Sequence, residues 1–134
     1  MSGWPDVETV GAAVRQAAQS EALPRFQSLQ AHEITEKTPG DPLTIADLET
    51  ERALERSLGA LLPGSVMLGE EAVSEDPGRL AALRGDRPCW LIDPIDGTLN
   101  YASGVPLFAT MVALVAGGEV VAGFLAVEGA AALD

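Results

Sequence analysis

Apolar residues recur at helical spacing near the start of the chain, in the stretch DVETVGAAVRQAAQSEAL that follows Pro5. The apolar stripe consists of Val7, Val10, Val14 and Ala17. Proline suits a first helical turn, whereas a proline in a helix interior ends or kinks the helix. The pattern therefore predicts a first helix that begins near Pro5 and ends or kinks at Pro24.

A second helix is predicted to begin between Thr44 and Asp47 and to run to about Leu62. Its apolar face consists of Leu54, Leu58 and Leu61. Thr44 suits the N-cap, and Asp47 follows three residues later, where the acid of a capping box lies. The Pro-Gly pair at 63–64 is expected to stop this helix.

Apolar runs in the second half of the chain predict strands. SVML leads into Gly-Glu-Glu at 69–71, and CWLI leads into an aspartate at 93. The runs LFATMVALVA and EVVAGFLAV flank Gly117–Gly118, and this arrangement predicts an antiparallel hairpin. Beyond the hairpin we expect a turn at Glu128–Gly129 and the start of another strand in AAALD.

The remaining segments are polar. Residues 31–44 start with a short alternating piece and become a turn region rich in Pro, Gly and Asp. There Glu33, Glu36 and Lys37 are most simply a solvated surface, and the single histidine, His32, is also expected at the surface. In residues 74–88 we expect one helical turn around 79–83.

Composition narrows the classes of protein. With 134 residues, 47% of them hydrophobic, the chain suits about one domain with a real core. No apolar run reaches the roughly 18 residues of a membrane span, and the first residues do not resemble a signal peptide. The single cysteine, Cys89, excludes an internal disulfide. These absences predict a cytoplasmic protein with no membrane partner.

The net charge of −12 argues against nucleic acid and anionic membranes as partners, because their phosphates would be repelled. It does not exclude a small phosphorylated metabolite. With eight Lys and Arg residues against 20 Asp and Glu, a bound metal ion is the obvious further source of positive charge for such a substrate.

Carboxylates follow two of the predicted strands, with Glu70 and Glu71 after the first and Asp93 and Asp96 after the second. If the strands are neighbours in one sheet, their ends bring these acids together. Crowded carboxylates repel one another until one of them is protonated, and a divalent cation removes that penalty. Mg²⁺ prefers such oxygen ligands. The pattern therefore predicts a magnesium site at the strand ends.

The segment DPIDGT at 93–98 suits this site. Its proline and glycine shape a tight turn, so that the Ile95 carbonyl is free to bind a metal and Asp96 points back toward Asp93. The amides of Gly97 and Thr98 are expected to open a short helix, and a helix start suits phosphate. The Thr98 hydroxyl can hold or polarise a water.

A plain surface turn is the competing interpretation, because Asp, Pro and Gly are ordinary turn formers. For either acidic segment alone, the turn would be favoured. Two such segments, each directly after an apolar strand, favour the metal site.

At these residues the sequence resembles the inositol monophosphatase family of magnesium-dependent, lithium-sensitive phosphatases. The matching motifs are D-P-I/L-D-G-T at 93–98, G-E-E at 69–71 and D-x-V/L-T-x-x-D at 41–47. The resemblance implies an α+β fold, a layered α/β sandwich of the inositol monophosphatase/fructose bisphosphatase type. Two N-terminal helices would pack on a mainly antiparallel sheet. Residues 1–134 would form the N-terminal, metal-binding part of such a phosphatase.

The resemblance also implies roles for the matching residues. The implied Mg²⁺ ligands are Glu70, Asp93, the Ile95 carbonyl and Asp96. The implied catalytic residues are Asp47, Glu70 and Thr98. Among them, Asp47 and Thr98 correspond to the pair that orients and activates the attacking water, and Glu70 helps to hold it. The implied substrate-binding residues are Asp93, Gly97 and Thr98.

One family motif finds no match in the sequence. The motif W-D-x-x-A/S-G supplies a further metal-binding aspartate in the C-terminal half of family members, but neither Trp4 nor Trp90 is followed by Asp. We therefore expect a truncated chain in which the C-terminal half is absent and the second metal site is incomplete.

The implied reaction is Mg²⁺-dependent hydrolysis of a small phosphate monoester, such as an inositol monophosphate, by a metal-activated water. The alternative is a catalytically silent fragment, or a metal-binding or interaction subunit, because the C-terminal aspartate is missing. Relatives act on several phosphorylated metabolites, so the substrate stays open. Dimers are common in the family, and an unfinished sheet exposes an edge and an apolar face, so we expect a homodimer or other association.

Overall fold

The computed structural model describes residues 3–127. The helices are α1 (Val7–Ala17), α2 (Ile45–Leu61), α3 (Glu70–Glu75) and α4 (Thr98–Ala102). The strands are β1 (Ile34–Thr38), β2 (Asp41–Thr44), β3 (Val66–Gly69), β4 (Cys89–Asp96), β5 (Ala109–Ala116) and β6 (Glu119–Val127). The predicted turn at Glu128–Gly129 and the strand in AAALD lie outside the described residues.

The first helix follows the predicted stripe with one exception. Val10, Val14 and Ala17 are buried, but Val7 is 64% exposed, so its place in the stripe was wrong. Val7 is the first residue of α1, directly after the N-cap Asp6, whose carboxylate accepts a hydrogen bond from the Thr9 amide. The buried part of the stripe therefore begins one turn into the helix.

The helical conformation ends near Pro24, as predicted. After Ala17 the chain continues as a π-helical turn, Ala18–Ala22, and a 3₁₀ turn, Leu23–Arg25. Phe26 then adopts an extended conformation. Because Pro24 lacks an N–H group and its ring clashes with a preceding turn, a regular α-helix cannot pass through it.

The second helix begins at the predicted capping box. The Asp47 carboxylate accepts a hydrogen bond from the Thr44 amide at 2.8 Å, while the Asp47 amide donates to the Thr44 hydroxyl at 3.3 Å. Leu54 and Leu58 are fully buried, and Leu61 packs at the edge of the same core. The local sequence therefore determines both where α2 starts and which face it buries.

Strands β3 to β6 form one sheet in sequence order, with β3 and β4 parallel and the other neighbours antiparallel. Helices α1 and α2 pack on one face around Trp90, Ile92, Val112 and Leu114. This arrangement confirms the predicted packing of two N-terminal helices on a mainly antiparallel sheet. On the opposite face Met111 and Leu125 are 40% and 61% exposed.

The polar segment at 31–44 is more ordered than a turn. It forms a short 3₁₀ turn, Ala31–Glu33, and an antiparallel hairpin of β1 and β2. His32 and Glu36 are exposed, as predicted, but Lys37 is not a solvated side chain. The hairpin turns Lys37 toward α3, a contact between distant parts of the chain that local patterns do not reveal.

Candidate active site

The two acidic strand ends meet, as the sequence predicted. Strands β3 and β4 run parallel, with Gly69 opposite Ile92, so Glu70 and Asp93 leave the sheet side by side. Both residues line the same cavity. Burial, followed by the neighbouring Asp93 carboxyl, raises the pKa of Glu70 to about 7. Such a shift is expected when two acids share a site without a cation.

One oxygen of this pair has no protein partner. The Oδ1 atom of Asp93 is buried and accepts no hydrogen bond from residues 3–127. Burial raises the pKa of Asp93, and the charge of Asp96 adds to this effect. A buried acceptor without a donor is costly, which makes this oxygen a natural ligand for a cation.

The turn after Asp93 departs from the regular ladder. The pairing of β4 with β5 shifts register between Asp93 and Asp96, and the Thr110 hydroxyl donates to the Pro94 carbonyl at 2.9 Å. Gly97 then adopts a φ of 90° directly before α4. A Cβ at Gly97 would approach the Leu107 carbonyl oxygen to 2.9 Å, so both the conformation and the space require glycine.

Thr98 and Asp47 are brought together from distant parts of the chain. The Thr98 hydroxyl donates to Asp47 Oδ1 at 3.0 Å, or to the Ile95 carbonyl at 2.9 Å. Asp47 is fully buried, and its other oxygen accepts from the amide and hydroxyl of Thr44. Burial raises the pKa of Asp47 despite these hydrogen bonds, which act to lower it.

The remaining predicted ligands take different positions. We expected the Ile95 carbonyl to be free, but the Thr98 hydroxyl engages it; a carbonyl oxygen has a second lone pair for another partner. Asp96 is exposed at the outer end of the turn. The assignment of Ile95 and Asp96 as metal ligands therefore stays a prediction.

Sequence reasoning missed a lysine in the site. The Nζ atom of Lys37 lies 3.0 Å from Glu71 Oε2 and 3.8 Å from Glu70 Oε1. Burial acts to lower the pKa of Lys37, but the hydrogen bond and charge of Glu71 together raise it. Burial also raises the pKa of Glu71, against the pull of Lys37. Glu71 is therefore paired with a cation, while Glu70 faces Asp93.

Sequence reasoning also missed Glu51. Its carboxylate is only 4% exposed and accepts hydrogen bonds from the amides of Glu71 at 2.9 Å and Ala72 at 3.0 Å. Burial raises the pKa of Glu51 to about 6. One signal was available, because Glu51 lies four residues after Asp47 and residues at this spacing share a helix face.

The paired carboxylates suit a hard cation. Mg²⁺ is commonly bound by one or two carboxylates together with waters and phosphate oxygens. Glu70 and Asp93, with the unpartnered Asp93 oxygen, fit that description. Within residues 3–127, no group of three or more His, Cys, Asp or Glu side chains is placed to hold a metal ion.

The fold and this site define an α+β protein with a carboxylate pair at the ends of parallel strands. Residues 6–127 match the model of the inositol monophosphatase family. The chain therefore belongs to that family. In the part of the chain that the structure describes, no helix has the length and apolar character to cross a membrane.

Individual relatives agree with this assignment. The chain is 43% identical over 89 residues to the inositol-1-monophosphatase SuhB of Mycobacterium tuberculosis, which covers 66% of this chain and 30% of the relative. The solved Thermotoga maritima IMPase superposes with a TM-score of 0.77 at 26% identity, covering 92% of this chain and 44% of that one. The Bartonella henselae extragenic suppressor protein suhB superposes with a TM-score of 0.72 at 28% identity, covering 92% and 45%.

The chain thus spans 30% of the length of this curated relative and 44–45% of these two solved chains. The match includes the segments that carry Asp47, Glu70 and Asp93, all of which fall within residues 6–127.

Proposed function

We propose that this chain carries the carboxylate site of a Mg²⁺-dependent phosphatase that hydrolyses a small phosphate monoester. The observation that carries the proposal is the meeting of Glu70 and Asp93 beside the hydrogen-bonded pair of Thr98 and Asp47. The relatives named inositol-1-monophosphatase support inositol monophosphate as the substrate class. A cytoplasmic setting and a homodimer belong to the same proposal.

Glu70 and Asp93 would hold the cation, with the Ile95 carbonyl and Asp96 as further ligands. The unpartnered Oδ1 atom of Asp93 and the raised pKa of Glu70 both support this role. When bound, Mg²⁺ would neutralise phosphate oxygens and lower the pKa of the attacking water. Lys37 would stay with Glu71, because that ion pair is already satisfied.

Thr98 would orient the water, and Asp47 would receive its proton through the Thr98 hydroxyl, which passes its own hydrogen to the Asp47 carboxylate. The Thr98 hydroxyl has one hydrogen and two acceptors in reach. When it donates to Asp47, its oxygen can accept a hydrogen from water, and the Ile95 carbonyl is released for a cation. The raised pKa of Asp47 makes its carboxylate a better proton acceptor. Glu70, at the strand end, would help to hold the same water.

The backbone at the start of α4 would bind the phosphate, together with Asp93 through the cation. The first N–H groups of a helix have no partners within it. No side chain caps α4, whose N-cap residue is Gly97. The amides of Gly97 and Thr98 are therefore the proposed phosphate contacts.

A second candidate is a chain that binds the cation without turning over substrate. It is favoured by the sequence itself, in which no W-D-x-x-A/S-G motif supplies the further metal-binding aspartate. Such a chain would act as a metal-binding or interaction subunit. The two candidates differ in turnover, and both require a cation at Asp93.

The first test is Mg²⁺-stimulated phosphate release from a generic phosphomonoester, measured beside calorimetric Mg²⁺ titration. We expect Asp93→Asn to abolish both Mg²⁺ binding and phosphate release, since it removes a charged ligand. Asp86→Asn is the matched control, because Asp86 is exposed and lies before β4. Binding without turnover in the unaltered chain would select the second candidate. Unchanged Mg²⁺ binding and turnover in Asp93→Asn would overturn the proposal.

A further inference from the structure

Helix α3 begins at Gly69, which has no side chain to cap it. The N-cap side chain of a helix normally accepts hydrogen bonds from the N–H groups of the second or third helical residue. In α3 these are the amides of Glu71 and Ala72, and both donate to the carboxylate of Glu51 on α2. A side chain from another helix therefore takes the place of the missing cap.

Gly69 is the counterpart of this arrangement. A Cβ added at Gly69 would overlap the carboxyl carbon and both oxygens of Glu51. Gly69 and Glu51 are both buried, so a side chain at Gly69 would displace the Glu51 carboxylate from its place beside the α3 amides. The glycine thus makes the space that the Glu51 carboxylate occupies, and the two residues form one structural unit.

This unit sets the position of Glu70, which lies between Gly69 and the two bonded amides. The Cα of Glu70 is fixed on one side by the strand pairing of Gly69 with Ile92 and on the other by the hydrogen bonds to Glu51. From this position the Glu70 side chain lines the same cavity as Asp93. Helix α2 also holds Asp47 one turn before Glu51, so one rigid element spaces Glu70 from the Asp47–Thr98 pair.

We propose that Glu51 is a positioning residue, which places Glu70 against Asp93 through the backbone of α3. The metal-related part of this inference rests on the proposed function, but the placement of Glu70 does not. Glu51 itself touches only backbone amides of α3 among its hydrogen-bond partners in the described chain. Its role is therefore separate from that of a ligand.

The test compares Glu51→Gln with Glu55→Gln in the 134-residue chain. Both changes remove one carboxylate from α2, but Glu55 lies one turn further along and accepts neither α3 amide. A glutamine oxygen can accept one of the two hydrogen bonds, while its amide group faces the other N–H as a donor. We expect Glu51→Gln to weaken Mg²⁺ binding by about tenfold or more, the usual effect of removing support from a metal ligand, and Glu55→Gln to leave it within about twofold.

A metal-free measurement accompanies the titration. The nuclear Overhauser contact between the Glu70 and Asp93 side chains should be present in the unaltered chain and in Glu55→Gln, and lost or weakened in Glu51→Gln. A merely structural role for Glu51 would lower the melting temperature without moving either readout. Unchanged Mg²⁺ affinity and an unchanged Glu70–Asp93 contact in folded Glu51→Gln would overturn the inference.

Two further outcomes are separated by design. If the unaltered chain binds no Mg²⁺, the proposed function fails, and the Glu70–Asp93 contact alone decides the role of Glu51. If Glu51→Gln does not fold, Glu51→Asp replaces it, because aspartate keeps both acceptor oxygens on a shorter side chain. That variant should keep the fold but draw α3 toward α2 and alter the Glu70–Asp93 contact. A contact that persists unchanged in Glu51→Asp would refute the inference.

Discussion

Lys37 and Glu71 form an ion pair that is mostly withdrawn from solvent. Their side chains are 18% and 7% exposed, and the Nζ atom lies 3.0 Å from Glu71 Oε2. Glu70, the adjacent residue, is 3.8 Å from the same ammonium group and faces Asp93. The pair therefore distinguishes the two consecutive glutamates, because Lys37 donates a hydrogen bond to Glu71, whereas Glu70 is its more distant ionic partner and also lines a cavity with Asp93.

Replacing Lys37 with methionine should destabilise the chain by about 2–4 kcal/mol at neutral pH, because it leaves a buried carboxylate without its partner. The loss should shrink at acid pH, since burial already raises the pKa of Glu71 and the lone carboxyl can then be protonated. Urea denaturation at both pH values measures this. Arg52→Met removes an exposed partner of Glu49 and should cost no more than about 0.5 kcal/mol. Equal losses in the two variants would contradict the special position of Lys37.

Some residues of the site can be recognised from a short sequence motif, whereas others can be recognised only from their contacts in the folded chain. The capping box of Thr44 and Asp47 and the DPIDGT turn are short patterns with one physical meaning, so the sequence predicted the first and pointed to the second. Lys37 and Glu51 act through contacts 34 and 20 residues away along the chain. A lysine in a polar segment and a glutamate on a helix carry no sign of such a partner until the fold is known.

At the scale of elements, the turn between β4 and α4 places Asp93 and Thr98 on either side of one glycine. Gly97 has a φ of 90°, and a Cβ there would lie 2.9 Å from the Leu107 carbonyl oxygen. Gly40, in the β1–β2 hairpin, has a φ of 84° but open space around it. The two glycines share a conformation and differ in packing.

This difference makes a matched experiment. Gly40→Ala should cost about 1–2 kcal/mol in unfolding free energy from backbone conformation alone. Gly97→Ala should cost at least about 1 kcal/mol more, because the added methyl also displaces the Leu107 segment or the turn. Chemical denaturation of both variants gives the two values. If Gly97→Ala were no worse than Gly40→Ala, the close approach to Leu107 would not constrain the turn.

The elements missed by the sequence have a physical explanation in common. Helix α3 is six residues long, which is too short to show a periodic apolar face. It begins after a glycine that has no side chain to cap it, so the sequence contains no cap signal for this helix. Its cap is the Glu51 carboxylate from another helix. The long helices and the β5–β6 hairpin were predicted because each has its own periodic apolar face and turn signal. Elements stabilised mainly by distant partners escape such patterns.

At the scale of the whole molecule, the acidic residues are unevenly distributed. Outside the site, most acidic residues in the described part of the chain are exposed, whereas five carboxyl groups on three elements cluster at the site and have raised pKa values. They are Asp47, Glu51, Glu70, Glu71 and Asp93. Each binds its proton more tightly in the folded chain than in the unfolded chain. The free energy of unfolding of the metal-free chain therefore depends on proton binding by this one group of carboxyls.

The sign of this linkage gives a prediction for the whole chain. Groups with raised folded pKa values stabilise the fold at low pH, and this contribution is lost as pH rises through the folded values. For Glu70 the window runs from the ordinary value of 4.5 to about 7. We expect the urea midpoint of the metal-free chain to be higher at about pH 5 than at about pH 8.

Mg²⁺ should act in the opposite sense, because it binds the deprotonated carboxylates. At about pH 8, excess Mg²⁺ should raise the urea midpoint, while at about pH 5 it should have little effect, since protons then occupy the same oxygens. Asp93→Asn serves as the control, because it removes the partner that helps to raise the pKa of Glu70. In this variant the urea midpoint should depend less on pH and less on Mg²⁺. A metal-free midpoint that rises from pH 5 to pH 8 would show that the carboxyl cluster does not bind protons on folding. An equal effect of Mg²⁺ at the two pH values would place the cation away from these carboxylates.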